Sequence, residues 1–411
     1  MNKDVGTQSL DAIDLAKQDC HMIVWDLGRR CNFDCTYCTT YMHNNWSPHA
    51  PLEELKETMR WIDYYYGLYD QFHKVKWLKT ISFTGGEPTV NPDFYKLLIW
   101  IKETYPDYRL SLTTNGTWDK RKLNVIDEYC DAVTVSYHTE GAPKLKVKVV
   151  ENILALNAIK GNLKVNVMMH ANGDKFKECQ DLISDVLEPN NILFFPRIIG
   201  DDSGSASKNT MKSKSRKDGK QEARLKTHTY TKDQSEYMNN YWSGKNKEVA
   251  KDNPLKLENV DTYIKKDDKE DKIILRSMGR ACCGGRTLLA KDKEGQKWTA
   301  AKFIPNTKFT GWKCMVNWFF LHIEQEKDII YHHQTCKTSL NNKIEPIGSL
   351  TNKWAITDEL EEYMHEKGML PYITCPNNYC GCGMCIPKAK NDDDAKMLWS
   401  KYVRVELQPK I

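Results

Sequence analysis

Residues 29–38 read RRCNFDCTYC and place Cys31, Cys35 and Cys38 within eight positions. Three thiols at this spacing can converge on one point. A closed structural zinc site normally takes four protein ligands, whereas a site that does chemistry keeps one position open. Three thiolates can also bind three irons of a [4Fe–4S] cube and leave the fourth iron free for a small chelating ligand. The zinc alternative needs a fourth ligand, for which Cys20 or His43 are the nearest candidates. Further on, ISFTGGEP ends in Gly85, Gly86, Glu87 and Pro88. Paired glycines let backbone come close to a ligand because no Cβ intrudes. A carboxylate beside exposed carbonyls suits an ammonium group.

A second set of thiols lies late in the chain: Cys314, Cys336, Cys375, Cys380, Cys382 and Cys385, the last four in CPNNYCGCGMC. They can close off a metal centre, either an iron–sulfur cluster or a zinc knot. Vicinal Cys282 and Cys283 before Gly-Gly-Arg extend that metal site, line a channel or form a turn; their role is not fixed by the sequence. Arg286 is placed to clamp a carboxylate or phosphate. His332 and His333, adjacent on a strand, face opposite sides.

The elements that must position the first set alternate along the first 200 residues. Strand patterns occur at 22–28, 79–86, 109–116, 132–138, 163–171 and 192–200, with helical patterns at 51–69, 91–105 and 148–160 between them. Pro51 suits a first helical turn, and Asn91 suits an N-cap. Six strands alternating with helices predict an α/β fold with a parallel sheet of βα units. Chemistry then collects at the C-terminal ends of the strands, where the three-cysteine loop and GGEP both fall.

The expected division is a core over 1–200, a polar, basic linker or insertion over 201–275, a Cys-rich α+β domain over 276–390 and a tail over 391–411. Residues 201–226 are Ser-, Lys- and Gly-rich without aromatics on which bases could stack. Residues 257–272 read as polar connection and 230–242 as a helix. Residues 318–333 read as a hairpin, two apolar runs around a polar turn. The tryptophans and phenylalanines of 312–320 suit a small-domain core.

Composition narrows the class. Fourteen cysteines with no apolar h-region at the N-terminus argue for metal or redox thiols in a reducing, cytoplasmic setting. A net charge of +5 is too mild to imply nucleic-acid binding. No run of eighteen apolar residues predicts a membrane helix.

CNFDCTYC, with aromatic Tyr37 before its last cysteine, resembles the CxxxCxxC motif of radical S-adenosylmethionine (SAM) enzymes, and GGEP on the following strand resembles theirs. The resemblance covers roughly residues 20–200 and implies a partial (β/α)6 barrel. It implies that Cys31, Cys35 and Cys38 ligate a [4Fe–4S] cluster whose open iron is chelated by SAM. It further implies that Gly85, Gly86 and Glu87, with Pro88 closing the motif, meet the SAM amino group. The backbone at Tyr37 would meet adenine, and Thr113, Asn115, Ser136 and His170 would reach the ribose and carboxylate. His138 sits at a strand end, as a hydrogen-bonded structural histidine or an acid–base group. The Cys-flanked segment from Cys314 to Cys336 and the late cysteines resemble the Twitch or SPASM auxiliary-cluster extension. The late spacing departs from that pattern, so cluster count and ligands stay open.

The function so implied is reductive SAM cleavage to a 5′-deoxyadenosyl radical that abstracts hydrogen from a peptide or protein side chain, or from a small molecule. An electron donor such as flavodoxin or ferredoxin is implied. About thirty residues precede Cys31, fewer than the ~40 an independent leader-binding fold needs, which lowers the leader-dependent expectation. The alternative from another class is a non-catalytic, zinc-binding, nucleic-acid-associated protein, which leaves GGEP and the six βα units unexplained.

Overall fold

The computed structural model describes residues 12–14, 20–38, 43–72, 78–159, 163–199, 212–214, 221–223, 230–240, 259–266, 269–276, 288–291, 297–299, 309–316, 320–331, 366, 372–375 and 388–400. Six parallel strands run in chain order: β1 (Cys20–Asp26), β2 (Leu78–Thr84), β3 (Arg109–Thr114), β4 (Ala132–Tyr137), β5 (Leu163–Met169) and β6 (Leu193–Ile198). Helices α1 (Leu52–Phe72), α2 (Phe94–Thr104), α3 (Leu123–Tyr129), α4 (Pro143–Ile159) and α5 (Gly173–Asp181) join them. All six expected strands form, in the expected parallel arrangement.

Alternation along the strands explains the layering. Ile23, Trp25, Ile81, Phe83, Leu110, Leu112, Val133 and Val135 are buried on the helix-covered face, where Phe83 meets Phe94 of α2 edge-on at 5.5 Å. The other face carries half-buried polar residues: Ser82, Ser111, Thr113, Thr134, Ser136 and Asn166. Their register places them side by side across β2 to β5. Parallel strands are usually apolar on both faces. A hydroxyl- and amide-lined second face therefore marks the open side of the sheet. Helix α1 shows why its sequence folds so: Leu55, Met59, Ile62 and Tyr66 are buried at helical spacing, and Glu53 and Glu54 in its first turn complement the dipole.

The sheet has more than six strands. The expected hairpin forms as β7 (Phe320–Glu324), a 3-10 turn (Gln325–Lys327) and antiparallel β8 (Ile329–Tyr331). Strand β7 then pairs in parallel with β1, His322 opposite Val24 and Glu324 opposite Asp26. A segment late in the chain thus joins the core sheet beside its first strand. A second, six-stranded sheet links residues 269–276, 259–266, 12–14, 388–389, 313–314 and 373–374 in that order.

Two local expectations are corrected. Residues 257–272 are not connection: Asn259–Lys266 and Lys269–Arg276 form an antiparallel pair. The alternation of Val260, Thr262 and Ile264 with polar neighbours is a strand period that the flanking charges obscure. Helix α2 starts at Phe94 with Asp93 as N-cap. Asn91 instead ends a 3-10 turn over Pro88–Val90 and accepts from the Asp93 amide at 2.9 Å. The helix at 230–242 forms over Lys232–Asn240, named α6. Among the described residues no helix is long and apolar enough to cross a membrane.

Candidate functional site

The three-cysteine loop leaves the end of β1. The Leu27 amide bonds the Thr84 carbonyl at 3.0 Å, and Gly28 turns the chain with φ +148°. The Cys31 amide donates to the Asn44 carbonyl at 2.7 Å and the Cys38 amide to the Cys35 carbonyl at 3.1 Å. Two donors address the Cys31 sulfur: the Phe33 amide at 3.4 Å and Asn115 Nδ2 at 3.9 Å. Burial pushes the Cys31 thiol up to about 12, and neighbouring Glu87 and Cys38 add to it. Burial, then the proximity of Cys38 and Cys31, also raises Cys35. Cys35 is buried and Cys31 and Cys38 are half-buried, and a bound metal is what favours the thiolate form of cysteines so placed.

That donor set fits a cluster held by three protein thiolates. N–H groups aimed at a sulfur suit a thiolate ligand. Of the two candidates for a fourth zinc ligand, Cys20 is remote from the loop and His43 lies beside it. Cys20 starts β1, a whole strand and about 20 Å from the loop end. His43 is buried with Nε2 3.5 Å from Asp34 Oδ1.

The GGEP turn is fastened to this loop. The Gly86 amide donates to the Gly28 carbonyl at 2.7 Å and the Glu87 amide to the Arg30 carbonyl at 2.9 Å. A Cβ on Gly86 would lie 2.3 Å from the Arg29 carbonyl oxygen and 2.4 Å from that of Arg30. One on Gly85, at φ +132°, would lie 2.5 Å from the Gly28 oxygen and 2.6 Å from Asp26 Oδ1. The backbone that these glycines admit is thus the cysteine loop itself. Glu87 is buried, and its carboxylate accepts from Thr114 Oγ1 (2.6 Å), the Asn115 amide (2.5 Å) and both the amide and hydroxyl of Thr89 (3.1 and 2.6 Å). Burial raises its pKa, against the pull of those four donors. Pro88, also buried, opens the following 3-10 turn.

The strand ends gather the other expected residues. Asn115 bridges β3 to the loop, donating to Asn32 Oδ1 at 2.7 Å while its own Oδ1 accepts from Thr117. Thr113 and Ser136 sit half-buried on the open face. Tyr37 is buried, its hydroxyl 2.7 Å from His138 Nδ1 and its ring stacked on that imidazole at 5.9 Å. Burial lowers His138 to about 4, so the ring is neutral near pH 7. His170 lies 3.2 Å from Glu140 Oε1 and edge-on to Tyr37 at 6.1 Å.

Several residues escape sequence reasoning. Glu140 accepts from the Thr36 amide (2.5 Å) and hydroxyl (2.9 Å) inside the cysteine loop, and from Lys175 Nζ (2.7 Å). Only its position two residues past His138 hints at this. Asp26, His322 and Glu324 converge on the open face, each buried, with ligand atoms within 4.8 Å of one another. Lys327 Nζ lies 3.0 Å from Glu324 Oε2 and brings a cation there. Their meeting depends on the β1–β7 pairing, which no local pattern announces.

Of the late cysteines, Cys314 and Cys375 are described. Cys314 ends the strand at 313–314 and Cys375 directly follows the strand at 373–374 that pairs with it, with the Cys375 amide bonded to the Trp312 carbonyl at 2.8 Å and Cys314 opposite Ile373. Cys336, Cys380, Cys382 and Cys385 lie outside the described residues, as do Cys282, Cys283, Arg286, His332 and His333.

Residues 25–186 match the family described as the radical SAM superfamily. A Bacillus subtilis (strain 168) protein named "Putative peptide biosynthesis protein YydG" is 30% identical over 157 residues, 36% of this chain and 46% of that one. A GTP 3′,8-cyclase of Campylobacter lari is 34% identical over 97 residues, 23% of this chain and 27% of that one. The chain thus spans less than half the length of these curated relatives. The crystal structure of Streptococcus suis SuiB bound to precursor peptide SuiA superposes with a TM-score of 0.45 at 13% identity, over 85% of this chain and 65% of that one.

Proposed function

We propose, on the premise that residues 25–186 form a radical SAM domain, that this chain is a radical SAM enzyme acting on a peptide. The cofactors of the domain are a [4Fe–4S] cluster and SAM. Bound together, they supply reductive cleavage of the sulfonium to a 5′-deoxyadenosyl radical that takes a hydrogen atom from substrate. The observation that carries the reading is the union of two motifs at the C-terminal ends of two adjacent strands. The loop that carries Cys31, Cys35 and Cys38 is bonded through its backbone to the GGEP turn.

The protein's own part is placement. Cys31, Cys35 and Cys38 hold the cluster. The Glu87 side chain is occupied within the fold, and the backbone carbonyls of Gly85 and Gly86 beside it would receive the SAM amino group. The backbone at Tyr37 receives adenine, with Thr113, Asn115, Ser136 and His170 towards ribose and carboxylate. The polar open face of β2 to β5 offers hydroxyls and amides to a hydrogen-bonding chain. The longer of the two relatives' matches, to a protein named for peptide biosynthesis, favours a peptide over a nucleotide. Cys314 and Cys375, with Cys336, Cys380, Cys382 and Cys385, are proposed to hold an auxiliary cluster. A flavodoxin or ferredoxin donor and a cytoplasmic setting belong to the same proposal.

Anaerobically purified protein should be brown, and dithionite with SAM should release 5′-deoxyadenosine. Deuterium at the attacked carbon of a peptide substrate should appear in that product. Colourless protein with stoichiometric zinc and no SAM cleavage would overturn the enzyme reading; deuterium transfer from a nucleotide would overturn the peptide assignment.

A further inference from the structure

The cysteine loop is closed by a residue nearly 300 positions away. Glu326 lies in the turn between β7 and β8. Its Oε2 accepts from the Arg29 amide at 2.8 Å, and Oε1 accepts from Arg29 Nε at 2.8 Å, from the terminal Arg29 guanidinium nitrogen and from Ser47 Oγ at 2.7 Å. Arg29 enters the loop that carries Cys31, Cys35 and Cys38, and Ser47 follows its exit. The two stems also touch each other: the Asn44 amide donates to the Arg29 carbonyl at 2.7 Å and Asn44 Nδ2 to Ser47 Oγ at 2.7 Å. Asn44 then passes the connection to the metal ligand, since its carbonyl receives the Cys31 amide. Arg29 and Arg30 also supply the carbonyls on which Gly86 is packed and Glu87 is bonded.

The pair is built for geometry rather than loose attraction. A carboxylate that takes two guanidinium nitrogens and the amide of the same arginine fixes both the side chain and the backbone of that residue. The turn itself is held in place. Gln325 accepts from Trp25 Nε1 and Thr58 Oγ1, each at 3.1 Å, and donates to Glu54 Oε1 at 2.7 Å.

We propose that Glu326 is a positioning residue for the cluster, clasping both stems of the three-cysteine loop from the β7–β8 hairpin. It rests on the radical SAM reading. The loop is complete only when this late segment is docked on β1, so the hairpin is part of the cluster site and not an appendage to it.

The test uses full-length protein reconstituted anaerobically, comparing wild type with Glu326→Gln, Arg29→Lys and the milder Ser47→Ala. Each keeps the size of its side chain while removing part of the clasp. Iron release to a chelator is followed, with release from a Cys31→Ala/Cys35→Ala/Cys38→Ala variant subtracted. Electron paramagnetic resonance of the reduced cluster is recorded with and without SAM. Release should be on the order of tenfold faster in Glu326→Gln and Arg29→Lys, as for other groups that orient metal ligands, and smaller in Ser47→Ala. The SAM-induced change in the spectrum should weaken in the same order. Loaded variants with wild-type release and wild-type spectra, altered only in thermal stability, would overturn the clasp alone. A folded wild type that takes up no iron at the three cysteines would overturn the cluster reading and the clasp with it.

Discussion

Glu87 Oε2 and the Asn115 amide meet at 2.5 Å across 28 positions of sequence. Through this bond the GGEP turn is tied to the end of β3, and Asn115 in turn reaches Asn32 and Cys31 in the cysteine loop. Three strand ends are thus joined by one buried carboxylate, all of whose four partners donate to it.

That arrangement predicts the effect of Glu87→Gln. The amide group would face either the Asn115 N–H or the three donors at Oε1, so donor meets donor. The cost of leaving such a buried group unsatisfied is about 1–3 kcal/mol. Thermal unfolding of the apo protein should show a clear drop in Tm; an unchanged Tm would mean the carboxylate is not the hub its contacts describe.

Glycine substitutions should separate by place. Gly86→Ala puts a Cβ 2.3 Å from a carbonyl oxygen of the backbone, and overpacking of this kind costs about 1–3 kcal/mol. Gly67, inside α1, has nothing within 4 Å of its would-be Cβ. Gly67→Ala should therefore stabilise by about 0.5–1 kcal/mol through helix propensity. Denaturant midpoints measure both, and equal shifts in one direction would contradict the packing described.

Glu140 gives a pH signature. Burial works to raise its pKa, but Lys175 and the amide and hydroxyl of Thr36 outweigh it and hold the carboxyl below its ordinary 4.5. A depressed carboxyl stabilises the fold above its unfolded pKa and loses that contribution as pH falls through the folded value. Glu140→Gln should thus be less stable than wild type above pH 4.5, with the gap closing at more acid pH. A gap independent of pH would assign the effect to shape rather than charge.

Removing metal ligands distinguishes the two cysteine sets. The Cys31→Ala/Cys35→Ala/Cys38→Ala variant should lose all SAM cleavage and keep residual iron. Adding Cys314→Ala and Cys375→Ala should remove that residue. Iron analysis that finds none in the first variant would eliminate the auxiliary cluster.

The sequence by itself determined the βα alternation, because strand and helix periods are local and the helix-facing positions are strongly apolar. It also carried the resemblance from which the site chemistry is proposed, because CxxxCxxC and GGEP each hold their residue types at short spacing. The tertiary structure alone decided what those motifs touch. Gly85 and Gly86 accommodate the backbone of the cysteine loop, and Glu87 faces three donor residues. Glu140, past the end of β4, and Glu326, in the β7–β8 turn, reach the loop from elsewhere in the chain. The strands at 259–266 and 269–276 were hidden by dense charge. The pairing of β7 with β1 joins segments 298 positions apart, Phe320 to Met22. Such contacts follow from which sheet edge remains open once the core has assembled, and no window of neighbouring residues encodes that.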